Sequence, residues 1–346
     1  MSLDFDCAGL PYPTPAAGEQ LRLALVGQRT YFEACALGDE CRAIATRYID
    51  FRYDANAKAL VAALDDFRPH VVIVFRPEII PAGLFSGLEA ATLGFLTEPI
   101  PRTGGAPHDD LAKRLWELEQ SDPSNFDRFV SFDPLISDTA QRTLPIWRSL
   151  PLPVADRFYA PVRRIQGLPR VVFVGRSTEY RERFLLPSKH EYDLLHLAFG
   201  VDADRLAEVM STHDVGINLH NEEYPSFENR ICLHLAAGHL VLSEPLSPEH
   251  GLEPGLDYVE IRTPGQLQHL IEMMRRFPNM YHRVRVRGRR KAEDFRASRV
   301  YPKLVADLLG DIAAFGTDRG TPRAPASGER LATGVVTKAG AAAATG

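Results

Sequence analysis

Short apolar runs alternate with helix-length segments in two successive series along this chain. The first series opens with LRLALVG (Leu21 to Gly27) and continues through AIATRYIDF, HVVIVF (His70 to Phe75), TLGFL and RFVSF. Brief apolar runs without polar alternation read as strands buried on both faces. Between them lie TYFEACAL, DANAKALVAALDDF and DDLAKRLWELEQ, which read as helices. In the second of these, Leu60, Val61 and Leu64 recur at helical spacing and Asp54 is the expected N-cap. Strand alternating with helix predicts a parallel sheet covered on both faces.

The alternation pauses at SLPLPVADRFYAPVRRIQGLP, whose four prolines and weak periodicity read as a linker. It resumes at RVVFVG (Arg170 to Gly175), with DLLHLAF, DVGINL, HLVLS and DYVEI as further strands. ADRLAEVMSTH, SFENRICLHLAA, residues 265–276, residues 280–298 and YPKLVADLLGDIAAF read as helices. The expected architecture is α/β: two Rossmann-like domains facing each other across a cleft. The sequence divides into a flexible arm (1–18), a first domain (19–152), a linker (153–168), a second domain (169–316) and a disordered tail (317–346). Open α/β sheets take ligands beyond the carboxyl ends of their strands, so the candidate residues are sought there.

Composition narrows the function classes. The 346 residues are 45% hydrophobic and 25% charged, as in ordinary soluble proteins. A net charge of −5 argues against nucleic acid as the main partner. No apolar run is long enough to span a membrane. The first residues carry acids and lack the basic and apolar regions of a signal peptide. The four cysteines form no CxxC pair, so a reduced, cytoplasmic protein is expected. His220, Glu222, His234, His239 and His250 crowd one region but match no tight zinc pattern, so neither a metal nor a cofactor is expected.

Two segments carry the chemistry. In HNEEYPSFENRICLHLAAGHLVLSEP, Asn218 and His220 end a strand, and Ser226 is the expected N-cap of the following helix. Phe227, Ile231, His234 and Leu235 would form that helix's apolar face, and Gly238 its C′ residue. Free N–H groups in the first turn, around Glu228, Asn229 and Arg230, would favour an anion; the plainer alternative is a capped helix. In FVGRSTEYRERF, Gly175 closes a strand and Arg176, Arg181 and Arg183 follow, a set able to neutralise a diphosphate through paired hydrogen bonds. The plainer alternative here is a solvated, charged helix start.

Together with GLEPGLDYVEI and the basic helix ending in GRRKAEDF, these segments resemble the C-terminal domain of GT-B glycosyltransferases, in particular the CgeB-like group related to spore-maturation proteins. The resemblance covers about residues 165–310 well and the first half more loosely. It implies a GT-B fold, a nucleotide-sugar donor in the second domain, and a metal-independent transfer in which cationic groups hold the leaving diphosphate. An arginine after the first strand and a base five residues later hold the diphosphate in such proteins; Arg176 and Arg181 fit that spacing. The resemblance also implies two glutamates eight positions apart, where this chain has Pro225 and Leu233.

The acceptor, a small molecule, a glycan or a protein, would meet the first domain. Gly27, Gln28, Arg76, Glu78, Glu98 and Arg102 all follow strands there, and His108 lies in a nearby loop. Glu98 or His108 would be the catalytic base if the reaction inverts the anomeric carbon. The basic segment RRFPNMYHRVRVRGRRKAEDFRASR is either a solvated helix face or a peripheral contact with anionic lipid. The missing glutamates leave a second reading, a non-catalytic GT-B-like module that binds a nucleotide, glycan or protein. A two-domain solute receptor is a third, weakened by the lack of an export signal.

Overall fold

A computed structural model describes residues 9–16, 18–198 and 201–319. Its first sheet has six parallel strands in the order β2-β1-β3-β4-β5-β6: β1 Leu21–Gly27, β2 Ile44–Asp50, β3 Val71–Phe75, β4 Ala91–Leu96, β5 Arg128–Ser131 and β6 Ile146–Ser149. The second has five parallel strands in the order β11-β10-β9-β7-β8: β7 Val171–Val174, β8 Leu194–Leu197, β9 Val215–Asn218, β10 Leu240–Ser243 and β11 Val259–Glu260. Every residue of β3, β4, β9 and β10 is buried, as expected of strands covered on both faces. The strand order reverses between β1 and β3 in the first sheet and between β7 and β9 in the second. These are the switch points at which open sheets form ligand crevices.

The helices are α1 Arg29–Phe32, α2 Ala57–Phe67, α3 Asp109–Glu119, α4 Ser137–Ala140, α5 Glu179–Glu191, α6 Ala203–Thr212, α7 Arg230–Ala236, α8 Pro264–Arg276, α9 His282–Lys291 and α10 Ala297–Phe315. Two positions depart from expectation at helix starts. Asn56, not Asp54, caps α2 by accepting from the Lys58 N–H, and Asp54 instead takes a positive φ of 60° in the preceding turn. The proposed helix over TYFEACAL breaks up into a single α turn and a 3₁₀ turn, Glu33–Cys35.

The last helix corrects the division of the chain. Ala297, Tyr301, Leu304, Val305, Leu308, Leu309 and Ile312 of α10 belong to the hydrophobic core of the first sheet, although the sequence reading places them in the second domain. The Tyr301 hydroxyl donates to the Cys35 carbonyl at 2.7 Å, and Arg128 on β5 holds Asp311 at 2.6 Å. The chain therefore leaves the second sheet and returns to close the first.

Part of the expected arm is also docked. Tyr12 donates to the buried Asp127 at 2.6 Å, and Leu10 packs on the first core. The rest of the arm (1–8 and 17) and the tail from 320 onward lie outside the described residues.

Candidate functional site

A cavity of about 520 Å³ lies where residues of both halves converge. That volume suits a ligand of nucleotide size. Arg76, Thr97, Glu98 and Arg114 contribute to it from the first half. Gly175, Arg176, Arg181, Asn221, Tyr224 and residues 226–230 contribute from the second.

The second-half wall is built at the β7/β9 switch point. Gly175 sits at φ +151°, and a Cβ there would stand 3.1 Å from Nη1 of Arg230 and 3.4 Å from Nη1 of Arg181. Glycine is what lets two guanidinium groups press against the strand end. Thr178 caps α5 by accepting from the Arg181 N–H, and the Arg181 side chain is buried. Its Nε donates to the His220 carbonyl at 2.9 Å, Nη1 to the Arg176 carbonyl at 3.1 Å and Nη2 to the Leu219 carbonyl at 3.2 Å. Burial first, then the neighbouring Arg230, pushes its pKa down to about 9. Arg230 donates to the Leu219 carbonyl at 3.2 Å and to Glu228 at 2.7 Å. Glu228 also lies 3.6 Å from Arg181. Burial opposes its charge, but Arg230 and Arg181 prevail and hold its pKa below the ordinary value. Arg176, more exposed, donates from Nε to Oδ1 of Asn221 at 3.0 Å.

Three polar atoms at the cavity have no partner among the described residues: Nδ2 of Asn221, Oδ1 of Asn229 and Oγ1 of Thr97. Asn221 is 8% exposed. A buried amide donor left unpaired costs about 1–3 kcal/mol, so a ligand or water able to accept from it would be stabilised there. The wall thus combines positive charge with an unused donor.

The first-half wall is a web of ion pairs. Arg76, at φ +67° after β3, holds Glu78 at 2.7 Å and Glu117 at 3.2 Å. Arg114 pairs with Glu98 and, at 3.2 Å, with Asp110. Asp110 in turn accepts from the hydroxyl of Tyr224, across the two halves, at 2.7 Å. Asn229 similarly donates to Sγ of Cys35 at 3.2 Å.

Several expected site residues take other positions. Ser226 is not a helix cap: α7 begins only at Arg230, with no side-chain cap, and residues 225–228 have no regular structure. The Ser226 hydroxyl lies instead 3.1 Å from Nδ1 of His220. The N–H groups of Ile231, Cys232 and Leu233 are already bonded to the Glu228 and Asn229 carbonyls. Those three N–H groups are therefore not available to a ligand, and guanidinium groups bring the positive charge to this wall. Phe227 lines the cavity but is buried in the core below it, whereas Gly238 does end the helix at φ +75°.

His220 and Asn218 lie behind the wall. The His220 ring bonds the Pro245 carbonyl at 2.9 Å, and Asn218 donates to Ser243 at 2.8 Å. On the other side, Gly27 and Gln28 fall outside the cavity lining. A Cβ at Gly27 would stand 3.1 Å from Phe75, a packing role. Glu78 is buried against Arg76, and Arg102 spans the halves, donating to Oγ of Ser247 at 2.7 Å and to Asp133 at 2.9 Å. His108 caps α3 by accepting from the Asp110 N–H and stacks edge-on against Tyr224, so its ring does not line the cavity.

Arg114, Thr97, Asn221 and Tyr224 were not singled out by the sequence. Asn221 and Tyr224 sat inside a segment already noted, but Arg114 looked like one more charge on an amphipathic helix. Among the described residues, no group of three or more His, Cys, Asp or Glu side chains is placed to hold a metal ion, and no helix is long and apolar enough to cross a membrane.

No protein-family model matches the chain, and no curated protein sequence matches it. Solved structures do. Sucrose-phosphate synthase from Thermosynechococcus elongatus superposes with a TM-score of 0.54 at 10% identity, covering 84% of this chain and 100% of that one. The Anabaena protein HepE (Alr3699), in complex with UDP-glucose, gives a TM-score of 0.53 at 9% identity with the same coverage. Identity this low speaks for architecture rather than activity. Two parallel Rossmann-like sheets, each reversing its strand order beside a shared cavity, give this chain the GT-B fold of those glycosyltransferase structures.

Proposed function

We propose that this chain is a glycosyltransferase that moves a sugar from a nucleotide-sugar donor to an acceptor without a metal ion, and that it works in the cytoplasm as a CgeB-like enzyme. The observation that carries this reading is the group Arg176, Arg181 and Arg230 around Gly175, beside the unpaired Nδ2 of Asn221, at the switch point of the second sheet. Transfer breaks the bond between the anomeric carbon and a phosphate oxygen, so negative charge grows on the departing diphosphate. Fixed cationic donors in a partly enclosed cavity stabilise that charge more than they stabilise the ground state. Arg176 and Arg230 are the groups able to reach it. Arg181, tied to three carbonyls, positions the wall.

Glu98 is the base this geometry favours over His108, because Glu98 lines the cavity and His108 does not. Its partner Arg114 would have to yield for Glu98 to accept the acceptor's proton. The acceptor itself, a small molecule, glycan or protein, would enter along the first-half wall of Arg76 and Thr97.

A second reading has one observation of its own. Leu233, at a position where the family resemblance implies a glutamate, presents an apolar side chain to the cavity. A chain that binds the donor and transfers nothing would fit that. The test is a thermal-shift screen with UDP-, GDP-, ADP- and dTDP-sugars, followed by transfer and donor-hydrolysis assays on whatever binds. A ligand of the native state raises the melting temperature. Stabilisation lost in Arg176→Ala, with turnover lost in Glu98→Gln, supports the enzyme. Binding without turnover in the unmodified chain supports the module. No stabilisation by any nucleotide sugar would refute both.

A further inference from the structure

Far from the cavity, two stretches free of acidic residues meet. Residues 157–173 and 273–292 contain no aspartate or glutamate, in a chain whose net charge is −5. Three arginines of the second stretch are consumed internally: Arg285 by the Gly238 and Arg163 carbonyls, Arg287 by Asp257 and Glu253, and Arg289 by Glu293. Its leading end is different. Phe277 is 57% exposed and Met280 is 45% exposed, in the turn between α8 and α9. Beside them, Asn279 clamps Ile165, accepting from its N–H at 2.9 Å and donating to its carbonyl at 3.1 Å. That clamp, with the Arg285 bond to the Arg163 carbonyl at 3.0 Å, fixes the linker against the turn. The linker brings Arg163, Arg164 and Leu168, which is 61% exposed. Arg163, Arg164 and Arg283 make no ion pair among the described residues, while Arg276 shares Glu272 with Arg275.

We propose that this surface docks the protein on an anionic lipid bilayer. Three apolar tips stand among guanidinium groups with no carboxylate of their own. Such a surface lets Phe277, Met280 and Leu168 enter the headgroup region while the arginines meet lipid phosphates. Each basic residue near a negatively charged leaflet strengthens binding roughly fivefold, so Arg163, Arg164 and Arg283 together supply a factor on the order of one hundred. The patch precedes β7 in the chain and so sits at the amino-terminal edge of the second sheet, opposite the edge that forms the cavity. Docking there leaves the cleft open to solvent, and the inference does not depend on what the cleft binds.

The test is co-sedimentation of the full chain with phosphatidylcholine vesicles, with and without phosphatidylglycerol, at low and high salt and with no nucleotide present. The expected result is binding only to the vesicles containing phosphatidylglycerol, weakened by salt. Phe277→Ser combined with Met280→Ser should reduce it at least tenfold at an unchanged melting temperature, because both side chains are already largely exposed. Arg163→Glu combined with Arg164→Glu should abolish it, and this second pair guards against a folding defect in the first. Equal binding to both vesicle types, or anionic binding that survives both double variants, would overturn the proposal. So would heparin binding in the absence of vesicle binding, which would mark the patch as a site for a soluble polyanion.

Discussion

Arginines close together in sequence do different work here, and substitution separates them. Arg181 is 2% exposed and satisfies three main-chain carbonyls. Arg181→Ala strands those acceptors and leaves Glu228 with one cation fewer, so we expect a loss of about 3–5 kcal/mol in a denaturant titration. Arg176 is exposed and holds only Asn221. Arg176→Ala should change stability by less than about 0.5 kcal/mol while weakening nucleotide-sugar binding roughly tenfold or more, read by calorimetry. Sequence reading assigns both residues the same part, since spacing after Gly175 says nothing about which side chain turns inward. The difference lies in the main-chain carbonyls of Arg176, Leu219 and His220, which meet the Arg181 guanidinium. Histidine supplies a second contrast. His239 donates from Nε2 to the Met210 carbonyl at 2.7 Å, so its Nδ1 must accept from Nδ1 of the fully buried His234, 3.0 Å away. Nε2 of His234 then has no partner among the described residues. Burial lowers the pKa of His239 to about 3 and that of His234 well below its usual value. Both rings are neutral when folded and titrate near 6.5 when unfolded. The stability they hold is therefore complete above that pH and falls as the pH drops below it, by up to about 1.4 kcal/mol per pH unit for each ring. Melting temperatures measured from about pH 7 down to pH 5 should decline, and His239→Gln should flatten the slope.

At the scale of elements, the buried strands were plain in the sequence because short, β-branched runs such as VVIVF favour a strand covered on both faces. β6 was missed because IWRS is short, half-buried and runs directly into the proline-rich stretch before the linker. α5 was read only as an alternative helix start because EYRERFLLPSKHE carries charges around most of its circumference and a proline, Pro187, inside it. The start of α7 was misplaced for a physical reason: Ser226 has the chemistry of a cap, but its hydroxyl is taken by His220 and the intervening residues wrap the end of β9. What fixes α7 against the sheet is a glycine that sequence reading passed over. A Cβ on Gly216, in β9, would stand 2.3 Å from the His234 ring, far inside contact distance, and neither the sheet nor the helix is free to move. Gly216→Ala should cost more than about 3 kcal/mol and yield little soluble protein. Gly310→Ala is the matching control. It lies in the interior of α10, where a Cβ meets nothing within 4 Å, and should stabilise the chain by about 0.5–1 kcal/mol. Comparing the two midpoints in chemical denaturation tests whether close packing, rather than glycine content, is what matters.

At the scale of the whole molecule, the two sheets are bound by chain connectivity and by a few polar contacts. The linker leads out of the first half and α10 leads back, so the first half's core is completed by a helix from the far end of the chain. Across the cavity rim, Arg102 grips Ser247, Tyr224 grips Asp110, and His250 meets the Phe132 carbonyl at 2.8 Å. None of these contacts was legible in the sequence, because each joins residues more than one hundred positions apart that carry no mutual signal. Arg102 in particular was read as an acceptor contact, and its geometry makes it a latch. Its partner Asp133 is 2% exposed and belongs to the first half, so the guanidinium is anchored on one side and reaches to the other. Small polar interfaces of this kind permit relative domain motion. Removing Arg102 should therefore shift the ensemble toward more open forms while leaving each sheet intact. We expect Arg102→Ala to increase the radius of gyration in solution scattering and to weaken donor binding severalfold, since only the closed arrangement brings both cavity walls to the ligand. Far-ultraviolet circular dichroism should not change. Unaltered scattering combined with weaker binding would instead mean that Arg102 touches the donor directly, and that the rim is closed by Tyr224 and His250 without it.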